Sequence, residues 1–281
     1  MPAGYSYGRP PSRGRSRTLG HDNRRGMALL GQSASPGRGS TNIDRYWSEV
    51  LVDAPLGFWP LSGSATPAIE RVGDRTMTLR NSPTTGVAGL PRTAGITFDG
   101  SSQAADTAGS TQFAYSAGLS WSIELWLKYT TSGTSLQTPL AWRGISASAA
   151  DEVAIITVNN GVAGRIEVNS VNAPVPSRVV VGSNGSWNDG RWHHVVGTAL
   201  NGGALTLYVD GISRGTDTSS QRSSSGGGTD SRICAGANIA STSTFSQFFA
   251  GSISNVAVYG SALSATRVLA HYRAMADNAS I

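Results

Sequence analysis

Residues 188–211 read NDGRWHHVVGTALNGGALTLYVDG, and this stretch decides the fold. It contains three short turn sequences, at 188–190, 201–203 and 210–211. Asn-Gly and Asp-Gly pairs between apolar runs favour tight hairpin turns, because both central residues of such a turn need a positive φ. Between the second and third turns, apolar and polar residues alternate over 204–209, the pattern of a strand with one buried face. The stretch therefore predicts antiparallel strands joined by tight turns.

The composition favours a β protein over a helical one. The 281-residue chain contains 35 glycines, and only 14% of its residues are charged, whereas helical surfaces usually carry more lysine and glutamate. The one cysteine, Cys234, excludes an internal disulfide framework and a cysteine-based zinc cluster. No stretch approaches the ~20 apolar residues that a membrane-spanning helix requires, so we expect no membrane partner.

Short strand-like segments continue from this stretch in both directions, separated by clusters of Gly, Ser, Asn and Thr. Many short antiparallel strands at such spacing predict a sandwich or jelly roll. The predicted fold class is all-β: an antiparallel jelly-roll β-sandwich with an extended N-terminal arm and short flanking helices. The predicted strands cover residues 95–98, 120–129, 138–143, 152–158, 164–169, 177–182, 191–200, 204–209, 212–216, 232–238 and 247–259.

Two helices are predicted at the ends of this β region. The apolar side chains of residues 43–52 recur at helical spacing, and Asn42 is suited to cap that helix. Residues 58–61 follow as a first strand that anchors the core. At the other end, Ser264 is suited to cap a final helix with an apolar stripe.

The N-terminal segment differs from the rest in composition. Residues 1–45 contain eight arginines and two aspartates, a net charge of +6, and the remainder of the chain carries a net charge of −1. Residues 1–42 have no hydrophobic period and cannot bury enough apolar surface to fold alone. We therefore predict three parts: an extended basic Gly/Pro/Arg-rich arm over 1–42, a short helix with a lead-in segment over 43–62, and a jelly-roll domain with a C-terminal helix over 63–281.

Several motifs of the predicted sandwich resemble those of laminin-G-like, concanavalin A-like lectin domains. They are ITFDG at 96–100, WSIELWL at 121–127, DGRWHHV at 189–195, LYVDG at 207–211 and GSISNVAVY at 251–259. The resemblance covers roughly residues 95–273, with the motifs in order. It implies a jelly roll, but it does not imply one function, because a single fold hosts many roles.

The lead-in segment carries a second resemblance. Residues 46–61, YWSEVLVDAPLGFWPL, are similar to the segment before such domains in structural proteins of tailed bacteriophages and in some bacterial surface proteins. This implies a non-enzymatic virion structural protein, a capsid decoration or minor tail protein, at the virion surface. It would dock on major capsid or tail subunits through residues 1–60, with a homo-oligomer as a further arrangement. Its lectin-like domain would face host-surface glycans.

Two other functions are alternatives to the virion protein: a secreted or cell-surface carbohydrate-binding module, and a glycoside hydrolase. For catalysis, His193 and His194 are neighbours in a strand, so they point to opposite faces and cannot share one metal ion or proton. Glucanases of this fold are expected to place two carboxylates two residues apart on one strand. Glu124 and Glu167 each stand alone, so the sequence does not predict an enzyme.

The resemblance also implies a calcium ion at the rim of the sandwich, held by carboxylate and carbonyl oxygens, the hard ligands that calcium needs. By position, the candidate ligands are Asp99, Asp106 and Asp210. Asp99 and Asp210 each precede a glycine, where the geometry of a turn alone also favours aspartate. Both interpretations stay open at this point.

Glycan binding uses exposed aromatic rings, which offer a flat apolar surface to the C–H groups of a sugar. Trp187, just before the central hairpin, and Trp126, on the opposite face of its strand from Ile123 and Leu125, are the candidates. The alternative is that the seven tryptophans mostly fill a two-layer core.

The arginines of the basic arm have three interpretations. They would bind nucleic acid through its phosphates, dock on an acidic protein surface through carboxylates, or form a solvated tail. The arm has no lysine and only two aromatic residues, Tyr5 and Tyr7, so nucleic acid is not specifically indicated. The predicted docking residues are Arg9, Arg13, Arg15, Arg17, Arg24, Arg25 and Trp47.

Overall fold

The computed structural model describes one compact unit within Ser40–Ile281. The described residues are 42–62, 70–73, 75–90, 93–114, 119–144, 152–171, 178–218, 231–240 and 244–276. The predicted arm over 1–42 therefore lies almost entirely outside them. The lead-in segment over 43–62 and the predicted jelly-roll domain belong to the same compact unit.

In the described ranges, this unit contains two α-helices, a short 3-10 helix and seventeen strands. The α-helices are α1 (Asn42–Val52) and α2 (Ala265–Ala276), and the 3-10 helix is Thr111–Phe113. The strands are β1 (Gly57–Trp59), β2 (Thr78–Arg80), β3 (Thr84–Leu90), β4 (Thr93–Asp99), β5 (Ala104–Asp106), β6 (Trp121–Lys128), β7 (Gln137–Gly144), β8 (Glu152–Val158), β9 (Ile166–Val171), β10 (Arg178–Ser183), β11 (His193–Ala199), β12 (Leu205–Val209), β13 (Ile212–Asp217), β14 (Ser231–Ala235), β15 (Asn238–Ile239), β16 (Phe245–Ser246) and β17 (Ala250–Tyr259).

The strands form two large antiparallel sheets and one small ribbon. The larger sheet has the order β13-β12-β11-β6-β17-β4-β3, with β1 also paired to β17, and the smaller sheet has the order β10-β9-β8-β7-β14-β5-β2. Strands β15 and β16 pair only with each other. The predicted fold class, an all-β antiparallel sandwich of the jelly-roll type, is confirmed.

The core lies between the two sheets, and the alternation of side chains along each strand fills it. Leu125 and Leu127 of β6 are fully buried in one cluster with Ile156 and Val168 of the smaller sheet. Gly197 of β11 allows this close packing, because a Cβ at that position would lie 2.4 Å from Cγ2 of Val168.

Both helices cover the opposite face of the larger sheet. Tyr46 and Val50 of α1 and Val268 and Met275 of α2 surround Trp126 of β6 in a second apolar cluster, and all five are fully buried. Each such side chain contributes roughly 1.5–3 kcal/mol of burial free energy. None of the helices in the described ranges is long and apolar enough to span a membrane.

The turn chemistry of the central stretch is confirmed. Asp210 and Gly211, which join β12 to β13, both have positive φ values, 54° and 74°, as a two-residue hairpin turn requires. Gly190 and Gly202 also have positive φ values, 79° and 63°. The first strand predicted at 58–61 and the eleven strands predicted after it are all present, with bounds shifted by a few residues.

Five strands, β2, β3, β5, β15 and β16, were not predicted. Four of them have two or three residues, too few to show an alternating pattern. The fifth, β3, contains two glycines and pairs with β4 through an irregular register. Its place in the sheet therefore depends on its partner more than on its own residues.

We predict that α1 is part of the folded domain, whereas the arm before it is dispensable for stability. Deleting residues 1–41 should leave the melting temperature unchanged. Deleting residues 1–54 should lower it by several degrees, because this removes the buried side chains of Tyr46 and Val50 and exposes Trp126. Thermal unfolding of both truncated chains against the full chain checks this, and equal melting temperatures would contradict it.

Candidate binding site

The turns on either side of the β11–β12 hairpin bring charged and aromatic side chains together at one rim of the sandwich. Nδ1 of His193, the first residue of β11, lies 2.8 Å from Oδ2 of Asp210, and its Nε2 lies 3.1 Å from Oδ1 of Asp189. With Trp187 and Arg214, these residues form what we call the Trp187 rim.

Trp187 occupies a fixed, half-buried place in this rim. Its Nε1 donates to Oγ of Ser183 at 3.3 Å, and its ring meets that of His193 edge-on, with centroids 5.1 Å apart. The indole lies directly against Gly185, where a Cβ would come within 2.3 Å of it. Part of the ring remains accessible, as the prediction of a sugar-binding role requires.

Arg214 covers the same ring from the neighbouring edge strand. It lies in β13 where the register with β12 shifts, and its guanidinium carbon is 4.9 Å from the centre of the Trp187 ring. The side chain is exposed and, among the described residues, has no carboxylate within ion-pair distance. Stacking on an aromatic face orients a guanidinium without using its N–H donors.

The charges of the rim favour a protonated His193. Burial alone would lower the pKa of His193, but the hydrogen bond and charge of Asp210, together with Asp189, raise it above its ordinary value. Burial of Asp189 would raise the pKa of that carboxyl, but the backbone N–H of Arg191 and the His193 ring lower it. The imidazolium therefore joins two turns through both of its nitrogens.

A second polar cluster lies on the opposite face of the larger sheet, beneath the helices. The fully buried Glu124 carboxylate accepts hydrogen bonds from Tyr46 Oη at 2.7 Å and Tyr259 Oη at 2.6 Å. Nε2 of His194 lies 2.7 Å from its Oε1, and Nδ1 of His271 lies 3.0 Å from its Oε2. These four groups leave the carboxylate fully paired but sealed from solvent.

The network continues from Glu124 to the surface of α1. Nε2 of His271 lies 2.8 Å from Oδ2 of Asp53. Nε of Arg267 lies 2.9 Å from the same oxygen, and its Nη2 donates to Oε2 of Glu49 at 2.7 Å. Residues of α2 thus clamp the end of α1 onto the sheet.

Electrostatics keeps Glu124 ionised. Burial alone would raise the pKa of Glu124, but the charge of His271 and the hydrogen bonds from His194 and His271 hold it well below its ordinary value. Burial would lower the pKa of His271, and the charge and hydrogen bond of Glu124, with the charge of Asp53, raise it instead. A carboxylate held in this way has neither the proton nor the access of a general acid.

The second candidate carboxylate, Glu167, lies in β9 of the smaller sheet. Its Oε1 is 2.6 Å from Nε of Arg165, and its Oε2 accepts hydrogen bonds from Asn160 at 2.9 Å and Thr157 at 3.2 Å. Glu124 and Glu167 belong to different sheets, and Glu124 faces the helices. They cannot flank one glycosidic bond.

The prediction that His193 and His194 point to opposite faces is confirmed, since they join the two separate networks. The prediction that Trp126 binds sugar is wrong. Trp126 is fully buried, with the ring of Tyr46 edge-on at 6.2 Å and that of Tyr272 stacked at 6.0 Å. The helices cover the face that a sugar would need.

The three predicted calcium ligands do not form one site. Asp99 accepts the backbone N–H groups of Ser101 and Ser102 at 2.8 and 2.9 Å in its own turn, which lowers its pKa. Asp106 pairs on the smaller sheet with Arg80, at 2.7 Å, and with Arg232, whereas Asp210 belongs to the Trp187 rim. In the part of the chain that the structure describes, no three His, Cys, Asp or Glu side chains are grouped for a metal ion.

Trp47, predicted to dock on a partner, makes contacts within its own chain, and its docking role stays a prediction. Its Nε1 donates to Oδ1 of Asn255 at 3.1 Å, and the guanidinium carbon of Arg71 lies 4.3 Å from its ring centre. Asn255 is held for this contact in a bulge of β17, with a φ of 52°. The half-buried Trp47 therefore fastens α1. The six arm arginines, Arg9, Arg13, Arg15, Arg17, Arg24 and Arg25, lie outside the described residues.

Arg214, Tyr259 and His271 carry no sequence signal that indicates their place in these two clusters. Tyr259 and His271 lie within the apolar patterns of a strand and a helix, so their local sequence predicts only that they are core residues. Arg214 lies four residues after Asp210 in a polar edge strand. Nothing in its local sequence indicates the bulge that brings it to Trp187.

Comparisons with known proteins agree with the architecture. The family model described as the concanavalin A-like lectin/glucanases superfamily matches residues 99–269, more than half of the chain. A search of curated proteins found no match.

Solved structures share the fold at low sequence identity. The receptor-binding domain of botulinum neurotoxin C/D mosaic serotype has a TM-score of 0.57 at 14% identity, covering 79% of this chain and 51% of that one. The botulinum neurotoxin serotype G binding domain has a TM-score of 0.59 at 14% identity, covering 78% and 50%. The chain thus spans about half the length of these neurotoxin domains.

A third structure matches over nearly its whole length. Domain 4 of AbnA, a GH43 extracellular arabinanase from Geobacillus stearothermophilus in complex with arabinotriose, has a TM-score of 0.56 at 17% identity, covering 78% of this chain and 98% of that one. At these identities, the likeness to all three structures shows the fold alone.

The two raised histidine pKa values predict how stability depends on pH. A histidine whose pKa is raised on folding stabilises the fold fully below its ordinary pKa of 6.5, and this contribution is lost as pH rises through the folded pKa. The lowered pKa of Glu124 has the opposite effect. Its contribution to the free energy of unfolding is present above the ordinary pKa of 4.5 and is lost as the pH falls through the folded pKa. The free energy of unfolding should therefore be greatest between about pH 4.5 and 6.5 and should fall toward pH 9.

Urea unfolding at pH 6 and pH 9 measures this difference. His271→Asn should reduce the difference, and His271→Asn combined with His193→Asn should nearly abolish it. The same difference between the two pH values in the double variant and in the native chain would contradict the assignment.

Proposed function

Because the chain belongs to the concanavalin A-like lectin/glucanases superfamily, we propose that its sandwich is a non-catalytic glycan-binding domain and that the Trp187 rim holds the sugar. The observation that carries this proposal is the half-buried Trp187 ring, fixed by Gly185, Ser183 and His193 beside the exposed polar groups of Asp189 and Arg214. An apolar ring next to hydrogen-bonding groups of fixed position is the combination that sugars require.

The placement of the carboxylates supports binding without catalysis. Glu124 is fully buried beneath α1 and α2, and Glu167 is engaged by Arg165 on the other sheet. Within the described residues, neither has a partner carboxylate on its own strand that could share a substrate. The solved structures of similar fold include receptor-binding domains and an arabinanase domain bound to arabinotriose, which also supports a binding role.

For the chain as a whole, the proposed role is that of a structural protein of a tailed-phage particle, a capsid decoration or minor tail protein at the virion surface. Residues 1–60 would dock on other virion proteins, and the sandwich would face host-surface glycans. The support is the basic composition of residues 1–45, the resemblance of the lead-in segment, and the clamp of Arg267 on Asp53 and Glu49, which fastens α1 to the domain. A partner that held the arm would thereby hold the sandwich.

A secreted or cell-surface carbohydrate-binding module is the second candidate. The observation that favours it is the match to the arabinotriose-bound arabinanase domain, of which this chain covers 98%. Both candidates share the glycan-binding rim, and they differ in what the arm does.

We predict that Trp187→Ala weakens glycan binding about tenfold, since an aromatic contact of this kind is worth up to about 1.5 kcal/mol. A glycan array selects the ligand, and calorimetry with that glycan measures the affinity. Trp47→Ala is the matched control, because Trp47 is also half-buried under an arginine, and it should leave the affinity unchanged. Unaltered affinity in Trp187→Ala would place binding elsewhere.

We further predict that a chain without residues 1–41 folds but is no longer incorporated into particles. Complementation of a phage that lacks the protein, followed by quantification of the protein in purified particles, measures this. Arg→Ala replacement of the six predicted docking arginines is the finer variant and should give the same loss. Normal incorporation of both variants would reject the docking role and favour the secreted module.

A further inference from the structure

Both carboxylates of the Trp187 rim, Asp189 and Asp210, face the same cation, His193. Within the described residues, Asp189 is engaged by His193 and by the N–H of Arg191, and Asp210 is engaged by His193 and by the N–H of His194. Every carboxylate of the rim therefore has partners already. Among the described residues, no carboxylate lies within ion-pair distance of Arg214.

Arg214 is also prepared for a ligand. Its guanidinium carbon lies over the Trp187 ring, 4.9 Å from the ring centre, so part of the conformational entropy that an exposed arginine normally loses on binding is already lost. Stacking uses the faces of the guanidinium and leaves its in-plane N–H groups for an acceptor. A planar carboxylate is the acceptor whose geometry fits that fork.

A second arginine, Arg165, packs against β10, the edge strand next to β13. Arg165 lies against Gly182, where a Cβ would come within 2.8 Å of its Nη2. Gly182 in turn adjoins Gly215, the residue after Arg214, whose Cβ would lie 3.6 Å from the Gly182 carbonyl oxygen. Arg165 thus packs on β10 beside the residue that follows Arg214 in β13, and its guanidinium is paired with Glu167.

We propose that Arg214 binds the carboxylate of an acidic sugar, so that the glycans held at the Trp187 rim carry a uronic or sialic acid. This rests on the proposed glycan-binding function and specifies its substrate class. The guanidinium pairs with the carboxylate, and the exposed part of the Trp187 ring and Asp189 contact the rest of the sugar.

The test uses the full chain and an array of uronic-acid and sialic-acid glycans, each printed beside its methyl ester. Esterification removes the charge and leaves the hydroxyl groups in place. The native chain should bind the free acids at least tenfold more tightly than the esters, the ratio expected for a charge-assisted, two-point hydrogen bond. Arg214→Ala should abolish this preference, and Arg214→Lys, which keeps the charge without the fork, should restore only part of it.

Two controls separate the rim from the basic arm, which attracts acidic glycans through its own charge. The arm is the same in every variant, and work at 0.15 M salt limits its reach to about 8 Å. Arg71→Ala removes another exposed guanidinium stacked on a half-buried tryptophan, 4.3 Å from the Trp47 ring, and should change the preference less than twofold.

Equal loss of the preference in Arg71→Ala and Arg214→Ala would overturn the proposal, as would an unchanged preference in Arg214→Ala. Equal binding of a polyglutamate peptide would overturn the assignment of the carboxylate to a sugar. Binding of neutral glycans that depends on Trp187 but not on Arg214 would overturn this inference and leave the proposed function standing. Binding of no glycan at all would reject both.

Discussion

The fold of this protein depends on a single buried carboxylate, that of Glu124. A charge taken out of water is costly unless it is paired and hydrogen-bonded, and Glu124 meets that condition only when four other residues are in place. Two of these, Tyr46 and His271, come from the two helices. Helix docking is therefore needed to keep the centre of the larger sheet free of an unpaired charge, and the two helices form part of the domain.

The docking of the helices determines which parts of the larger sheet are exposed to solvent. The face toward the smaller sheet is filled by the apolar core, and the other is closed by α1 and α2 around Trp126. With both faces occupied, the exposed chemistry of this sheet lies at its rims and edges. The Trp187 rim lies there, where the turns of the central hairpin meet the edge strands β10 and β13.

The two histidines of β11 show how one strand contributes to both the Trp187 rim and the Glu124 cluster. His193 holds two turns of the rim together through Asp189 and Asp210, and His194 donates to Glu124 beneath the helices. The alternation of side chains along a strand separates the two imidazoles. Adjacent residues thus support the Trp187 rim on one side and the attachment of the helices on the other.

The sequence by itself determined most of the strands of the sandwich, the turns of the central hairpin and the two α-helices, because periodicity and turn chemistry are local properties. It also placed Trp187 beside the central hairpin. Only the tertiary structure showed that Trp126 is covered, that Trp47 fastens α1, and that Asp99, Asp106 and Asp210 lie apart. It alone brought Arg214 to Trp187 and four partners to Glu124. These contacts join residues that are far apart in the chain or meet through a bulge, and no local pattern encodes such pairings.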